Sequence, residues 1–465
     1  HVPLTLYSDD TFGNVSKKFN QHMCIYCTLS GLPPKLTDQE FNVHPLACSN
    51  IASALEIADQ IIKEVNCLTC RGFIGSDAAL NEEVLVIPWI LCHLHCQDIL
   101  LGDSPMHAEI TNTTNPAGML NPCHMCNLTV ESKSWKQSET YVHQFVGVDS
   151  MGDQVCALHG LHRALGQLET LTDSLNLEFV NNIYEIHWKN KKQKDKSKHT
   201  PAGEIVKLCQ DIEALYGVHI YNPFLCLLAF NGHHNTPIES LHVVYLLTVA
   251  KYFYRYAVEN IPENQTTVFI GQWEAFNISG LAIDQVQVGS MVKYANSLLD
   301  KEFQVVLQVA AFVLFNHIEE DHRVVWETLG HLAPYIFQTL ILNKDKYMTE
   351  LKTLINQFLQ LLNRILARWT NKPIFCILIH LGMSVKFFGP PSLFSTQTFE
   401  NYNTITHKAS VNSNQQAPGC NISDTSNNGQ LMRVLMTGTE FWDATLQRQL
   451  QVGPCVRALW SHKEI

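Results

Sequence analysis

Charge is sparse in this chain. Lys, Arg, Asp and Glu make up 16% of its 465 residues, and the acids outnumber the bases 43 to 32. A net charge of −11 excludes a surface that is basic throughout, although it leaves room for a local basic strip. Long hydrophobic runs are missing as well. No apolar stretch reaches the roughly 18 residues that a membrane-spanning helix needs; the longest, Val84–Cys92 and Val305–Phe315, stop well short. There is no Gly-x-Ser-x-Gly elbow, no P-loop and no dinucleotide fingerprint. Ser/His/Asp hydrolysis and nucleotide binding of those kinds therefore have no local support. No internal repeat is evident. The chain opens at His1, almost inside a strand, and nothing there resembles a signal peptide. The expectation from this opening is that upstream sequence is missing.

What is present describes a folded protein. Hydrophobic residues make up 46%, and the length predicts two or three domains. Fifteen cysteines is an odd number, and several (Cys24, Cys226, Cys376) lie in apolar stretches where Cys behaves as a small hydrophobe. This favours a reducing compartment. Six Asn-x-Ser/Thr triplets, among them those at Asn112, Asn127 and Asn277, keep a secreted glycoprotein as an alternative.

Along the chain, Val2 to Asp10 reads as a strand ending in two acids. Met23–Leu32 and Phe41–Ser49 carry β-type residues, and the join between them cannot be helical through Pro33-Pro34. These predict a mixed sheet whose first members are antiparallel. Ser49-Asn50 is a candidate N-cap for a helix over Ala52–Val65. Glu82–Asp103 then predicts a strand or two climbing to an acid beside the Ser104-Pro105 breaker. Asp153–Leu171 has helical spacing, and six lysines between Lys189 and Lys198 form a basic, solvated linker. From Ala202 to Trp369 nearly every stretch repeats at three to four residues, the pattern of a large all-helical block. Ile374–Val385 reads as a strand or a buried helix, and Ser395-Thr396 opens a helix with Phe399 and Tyr402 on its apolar side. Asn412–Gln430 is polar and low in complexity, which predicts a loose loop.

The acids are the candidate chemistry. Ends of neighbouring strands lie about 4.8 Å apart, so Asp9 and Asp103, each closing a β-type run, could share a divalent cation. Asp10 is the neighbouring alternative to Asp9. Glu400, from a helix far downstream, could complete a second site. Hard oxygen ligands of this kind suit Mg²⁺ or Mn²⁺. Two such ions roughly 3.5–4 Å apart stabilise the attacking and leaving oxygens of an in-line displacement. The plain alternative is that these acids are turn residues and a solvated helix residue.

The stretches LYSDDTFGNVSKK, LLGDSPMHAEI with NPCHMCN, TPIESLHVVYLL and FGPPSLFSTQTFENYN occur in that order. They resemble the landmarks of eukaryotic cut-and-paste transposases of the CACTA (En/Spm) and Kyakuja–Dileera–Zisupton types, in the version found in mushroom-forming fungi. The resemblance spans about residues 2 to 437. It implies an α/β, RNase H-like mixed sheet interrupted by a large helical insertion. The core would occupy residues 1–130 and 371–410, the insertion 131–370 with its basic linker at 186–200, and a polar loop and tail 411–465. It also implies a catalytic triad of Asp9, Asp103 and Glu400 holding two Mg²⁺ or Mn²⁺ ions. Glu239 and His242 would be the acid-x-x-His signature of the insertion. The implied activity is DNA phosphodiester hydrolysis at a transposon end followed by strand transfer, by a homo-oligomer acting on DNA in the nucleus, away from any membrane.

Zinc is a further expectation. Cys123 and Cys126 form a Pro-led Cys-x-x-Cys knuckle, a zinc half-site that His242 could help complete, as could His124, His159 or His162. Cys24 and Cys27 lie three apart in a probable-strand pattern, so they face opposite sides and chelate poorly. Cys67 with Cys70, and Cys92 with Cys96, His93 and His95, are more simply core or helix-end residues. The rival functional reading is a catalytically inactive, transposon-derived scaffold, held together by zinc, that binds DNA or protein.

Overall fold

The structure is a computed structural model. It describes residues 4–12, 21–30, most of 32–77, 82–86 and 99–101, and most of 223–461; between 102 and 222 it describes only Met106 and Tyr141. Asp103, Cys123, Cys126, the Cys92–Cys96 cluster, the Asp153–Leu171 stretch and the lysine linker lie outside the described residues.

Four strands make the main sheet, in the order β3-β2-β1-β6. Strand β1 (Leu4–Phe12) pairs antiparallel with β2 (Gln21–Leu29), and β2 pairs antiparallel with β3 (His44–Ser49). The short β6 (Ile99–Leu101) lies parallel to β1 on its other side, with Leu101 opposite Tyr7. Strand β1 runs two residues past the acids instead of stopping at them. A separate hairpin joins β4 (Phe73–Asp77) to β5 (Glu82–Val86). The apolar run after Glu82 therefore does not feed straight into the main sheet.

Strand alternation sends side chains to two cores. Leu6, Ile25 and Cys27 face helix Ala54–Arg71 and pack with its Ala54, Ile57, Ala58, Ile62 and Val65. Tyr7, Cys24 and Tyr26 point the other way and join the core formed with the helical block and helix Gln397–Val411. Helices thus cover both faces, and Cys24 and Cys27 belong to opposite cores.

The first of these helices is capped at Ser53, not at Ser49-Asn50. Ser53 Oγ accepts from the Glu56 backbone N–H, and the Glu56 carboxylate accepts from the Ser53 N–H. This reciprocal box satisfies two otherwise orphaned donors, and only Ser53 has a glutamate three residues on. Ser49 Oγ instead accepts from the N–H groups of Ile51 and Ala52, holding the approach to the helix. The helix ends at Gly72, whose φ of 68° lies in the region that side chains disfavour.

Between residues 249 and 366 the described elements are helical, including Val249–Glu259, Glu263–Glu274, Asp300–Val313, Glu320–Phe337 and Lys344–Leu366. Their core includes Phe253, Trp326 and Phe358. Downstream, one open choice is settled as buried helix and one expectation fails. Ile374–Val385 forms no strand: it is split between helices Pro373–Ile379 and Leu381–Phe388, where Phe375, Cys376, Ile377, Leu378, Leu381 and Val385 are buried within the helical core. Asn412–Gln430 is not a loop, because helix Pro418–Met436 occupies most of it.

That last helix is poor in helix formers, and its stability comes from tertiary contact. A side chain at Gly419 would come within 3.2 Å of the Cys48 carbonyl oxygen, so glycine allows the close approach to β3. Gln430 Nε2 donates to the Val43 carbonyl at 2.6 Å, and Ile422 is buried. Its polar, low-complexity look reflects close packing against backbone, which composition cannot reveal.

No described helix is long and apolar enough to cross a membrane. Replacing Ser53 with Ala should lower stability by about 1 kcal/mol through loss of the cap. The check is the urea midpoint of the wild type against S53A, with an unchanged denaturant slope.

Candidate functional site

Helix Gln397–Val411 lies along β1 and β2, and its spacing explains why. Phe399, Tyr402, Asn403, Thr406 and Ser410 are buried, a row recurring every three or four residues. Phe399 stacks on Tyr7 with ring centroids 4.7 Å apart, and Tyr402 meets Tyr26 edge-on at 5.2 Å. Tyr7 and Tyr26 are themselves directly paired across the strands and stacked at 6.1 Å. Aromatic pairs of this kind contribute about 0.5–1.5 kcal/mol each beyond their burial.

Polar contacts fix the helix along its length. Tyr26 and Thr406 share a hydroxyl hydrogen bond of 2.9 Å, and His22 Nε2 and Ser410 Oγ one of 3.0 Å. His407 Nδ1 bonds the Phe12 carbonyl.

This docking brings together acids from the two ends of the chain. Asp9 lies two residues beyond Tyr7 on β1, so the pleat places both on the helix-covered face. Glu400 follows Phe399 on the helix. The Tyr7 hydroxyl lies 2.6 Å from Asp9 Oδ2 and 2.9 Å from Glu400 Oε1. The two carboxylate oxygens are therefore closer together than the sum of those distances. Asn403 Nδ2 donates to Asp9 Oδ2 at 3.0 Å, and the Asp10 N–H donates to Asp9 Oδ1 at 2.8 Å. Asp10, one residue on, is turned by the same pleat to the opposite face, which separates it from Glu400.

Tyr7 is fully buried. Burial, and then the negative charges of Asp9 and Glu400, push its phenol well above the ordinary range, so it stays a proton donor. One hydroxyl carries one proton, yet two carboxylates lie within its reach. It can donate to only one of them at a time.

The Glu239–His242 segment supplies the third side of the site. Its position is held by Ile238 N–H donating to Ser384 Oγ at 2.9 Å. Glu239 is buried, and its Oε2 accepts from the His242 N–H at 2.7 Å and faces His242 Nδ1 at 2.8 Å. Its Oε1 accepts from the Thr396 N–H at 3.1 Å, at the start of the helix that carries Glu400. Burial alone would raise the Glu239 carboxyl, but these hydrogen bonds and the His242 charge outweigh it, and the group titrates below its usual value.

With Nδ1 turned to Glu239, His242 presents Nε2 to Glu400 Oε1 at 3.5 Å. That nitrogen can act as the second N–H of an imidazolium, or as a lone pair aimed at a cation held with Glu400.

Among the described residues, then, Asp9, Glu239, His242 and Glu400 converge. Asp103, Cys123 and Cys126 lie outside them, although β6 ends at Leu101, two positions before Asp103 in the sequence. No group of three or more His, Cys, Asp and Glu side chains arranged to hold a metal ion occurs among the described residues. Tyr7 and Asn403 were not singled out in the sequence, and Thr396 only as an opening residue of its helix. The signal for the first two was periodicity, since Tyr7 lies two before Asp9 on a strand and Asn403 three after Glu400 on a helix. An apolar cleft of about 840 Å³ between helices Asp300–Val313 and Glu320–Phe337 is lined by Phe312, Phe315 and His331 and contains none of these acids.

No protein-family model matches the chain, and no curated protein matches it.

The lowered Glu239 carboxyl fixes the sign of a pH effect. Its stabilisation is complete above the ordinary carboxylate range and is lost as pH falls through the lower, folded-state value. Glu239→Gln should cost about 1.5–3 kcal/mol near neutrality, the usual loss for hydrogen bonds to a charged group. Denaturant titrations of both proteins across acid pH should show the gap narrowing as pH drops. A gap independent of pH would show that Glu239 is not held ionised by His242 and Thr396.

Proposed function

We propose that this chain is a transposase-like enzyme with an RNase H-like core. In this reading it hydrolyses a DNA phosphodiester at an element end and transfers the freed 3′-OH to target DNA. Asp9, Asp103 and Glu400 are its acids. The observation that carries the reading is the meeting of Asp9 and Glu400 across the Tyr7 hydroxyl. Acids from a first strand and a late helix, brought together on one face of a sheet, are the arrangement that the four ordered motifs imply. The strand order and the helices on both faces agree with it.

The donor set suits a hard divalent ion. Two carboxylates crowd one another, one phenol proton cannot satisfy both, and the oxygens are of the kind Mg²⁺ or Mn²⁺ prefers. When bound, such ions supply charge stabilisation for the attacking and leaving oxygens of an in-line displacement.

The remaining work falls to the chain's own residues. Tyr7 and Asn403 hold the Asp9 carboxylate in a single orientation through Oδ2. Glu239 fixes the His242 ring, and through the Thr396 N–H it also fixes the first turn of the Glu400 helix. His242 orients the Glu400 carboxylate from the far side. In the overall reaction, water oxygen bonds to phosphorus as the bond to the 3′ oxygen breaks; the freed 3′ oxygen then bonds to a target phosphorus as that phosphorus loses its own 3′ oxygen, which leaves as a 3′-OH with the proton of the attacking hydroxyl. The DNA partner, a homo-oligomeric assembly and a nuclear location belong to this same proposal.

The test is nicking of supercoiled and element-end DNA with Mg²⁺ or Mn²⁺. Glu400→Gln and Asp103→Asn should each lower nicking by about a hundred-fold or more, the order lost when one electrostatic contributor is removed. Their thermal midpoints should stay close to wild type. Metal-dependent nicking retained by both variants would overturn the reading.

A further inference from the structure

The rung of the sheet that carries Asp9 continues outward through two thiols. Asp9 is opposite Cys24 on β2, and Cys24 is opposite Cys48 on β3. Directly opposed residues project to the same face, and the sulfurs of Cys24 and Cys48 lie 3.1 Å apart. The Cys24 thiol is the hydrogen-bond donor and the Cys48 sulfur the acceptor.

Their environments differ. Cys24 is fully buried, whereas Cys48 is partly exposed on the outer strand. The two share the S–H···S hydrogen bond. The same bond, opposed by burial and aided by nearby His22, brings Cys48 down to about 6. His22 is anchored through Nε2 to Ser410. A partly exposed cysteine backed by a buried thiol at contact distance is the arrangement of an attacking and a resolving cysteine.

We infer that Cys48 and Cys24 form an oxidisable pair, with Cys48 as the peroxide-reactive thiolate and Cys24 as the thiol that resolves it. The Cys48 sulfur attacks one oxygen of hydrogen peroxide, the O–O bond breaks, and hydroxide leaves to give a sulfenic acid. The Cys24 sulfur then attacks the Cys48 sulfur. An S–S bond forms, the S–O bond breaks, and water leaves with the Cys24 proton. In total, two thiols and one peroxide give one disulfide and two waters. The sulfurs need to close by only about 1 Å to reach bonded separation. The other close thiol on β2, Cys27, cannot take part from its position, because it belongs to the opposite core. The inference does not depend on the nuclease reading, since it needs neither metal nor DNA.

The test uses the full chain treated with a stoichiometric amount of hydrogen peroxide, then blocked and digested with trypsin without reductant. Lys18, Lys35 and Lys63 bound the relevant peptides, residues 19–35 and 36–63. The expected product is these two peptides joined through Cys24 and Cys48, with loss of the mass of two hydrogens and release by reductant. In Cys24→Ser the link should vanish and Cys48 should instead be trapped as a sulfenic acid by dimedone. In Cys48→Ser neither product should form, while a Cys420→Ser control should behave as wild type. A joined pair using Cys27, or Cys48 recovered as a free thiol after treatment of the wild type, would overturn the inference.

Discussion

A single phenol between two carboxylates organises this molecule. The Tyr7 hydroxyl reaches both Asp9 and Glu400, and its ring is clasped between Phe399 and Tyr26. The ring sets where the late helix sits on the sheet, and the hydroxyl sets how near the acids come. The same buried group therefore links packing to electrostatics. Two negative charges drawn together around one proton are unfavourable unless something compensates them. Asn403 and His242 supply part of that compensation.

The Glu239–His242 segment contributes to this arrangement from outside the sheet. Glu239 is expensive to bury, and the structure accounts for that cost with three hydrogen-bonding groups: the His242 ring, the His242 N–H and the Thr396 N–H. Because Thr396 begins the Glu400 helix, the acid-x-x-His segment acts on the late acid twice. It fixes the first turn of that helix, and it places an imidazole nitrogen beside the carboxylate. The helical block thus reaches the candidate site through a defined side-chain chain, not merely by proximity.

Much of the candidate site was legible in the sequence, for physical reasons. Asp9 stands in a run of β-branched and aromatic residues, and Glu400 in a helix whose Phe399 and Tyr402 mark its buried side. Other features depended on partners the sequence does not display. Strand β4 contains Gly75 and Ser76 and gains its order from pairing with β5. The helix over Pro418–Met436 is rich in Asn, Ser and Gly, which read as a loop until Gly419 is seen against the Cys48 carbonyl. Ile374–Val385 is largely apolar, so its period is hidden and strand and buried helix looked alike; packed among helices, it is helical. Tyr7 was visible as a core aromatic, but its role comes from two acids meeting at its hydroxyl, a long-range fact.

The sheet face that receives Gln397–Val411 has a history during synthesis. The helix that covers Tyr7 follows it by almost four hundred residues. At ordinary translation speeds of about 5–20 residues per second, that interval is roughly twenty to eighty seconds. For this time an aromatic surface and the strand bearing Asp9 lack the lid that buries them in the finished protein. Asp9 and Glu400 can meet only once the helix Gln397–Val411 has been made.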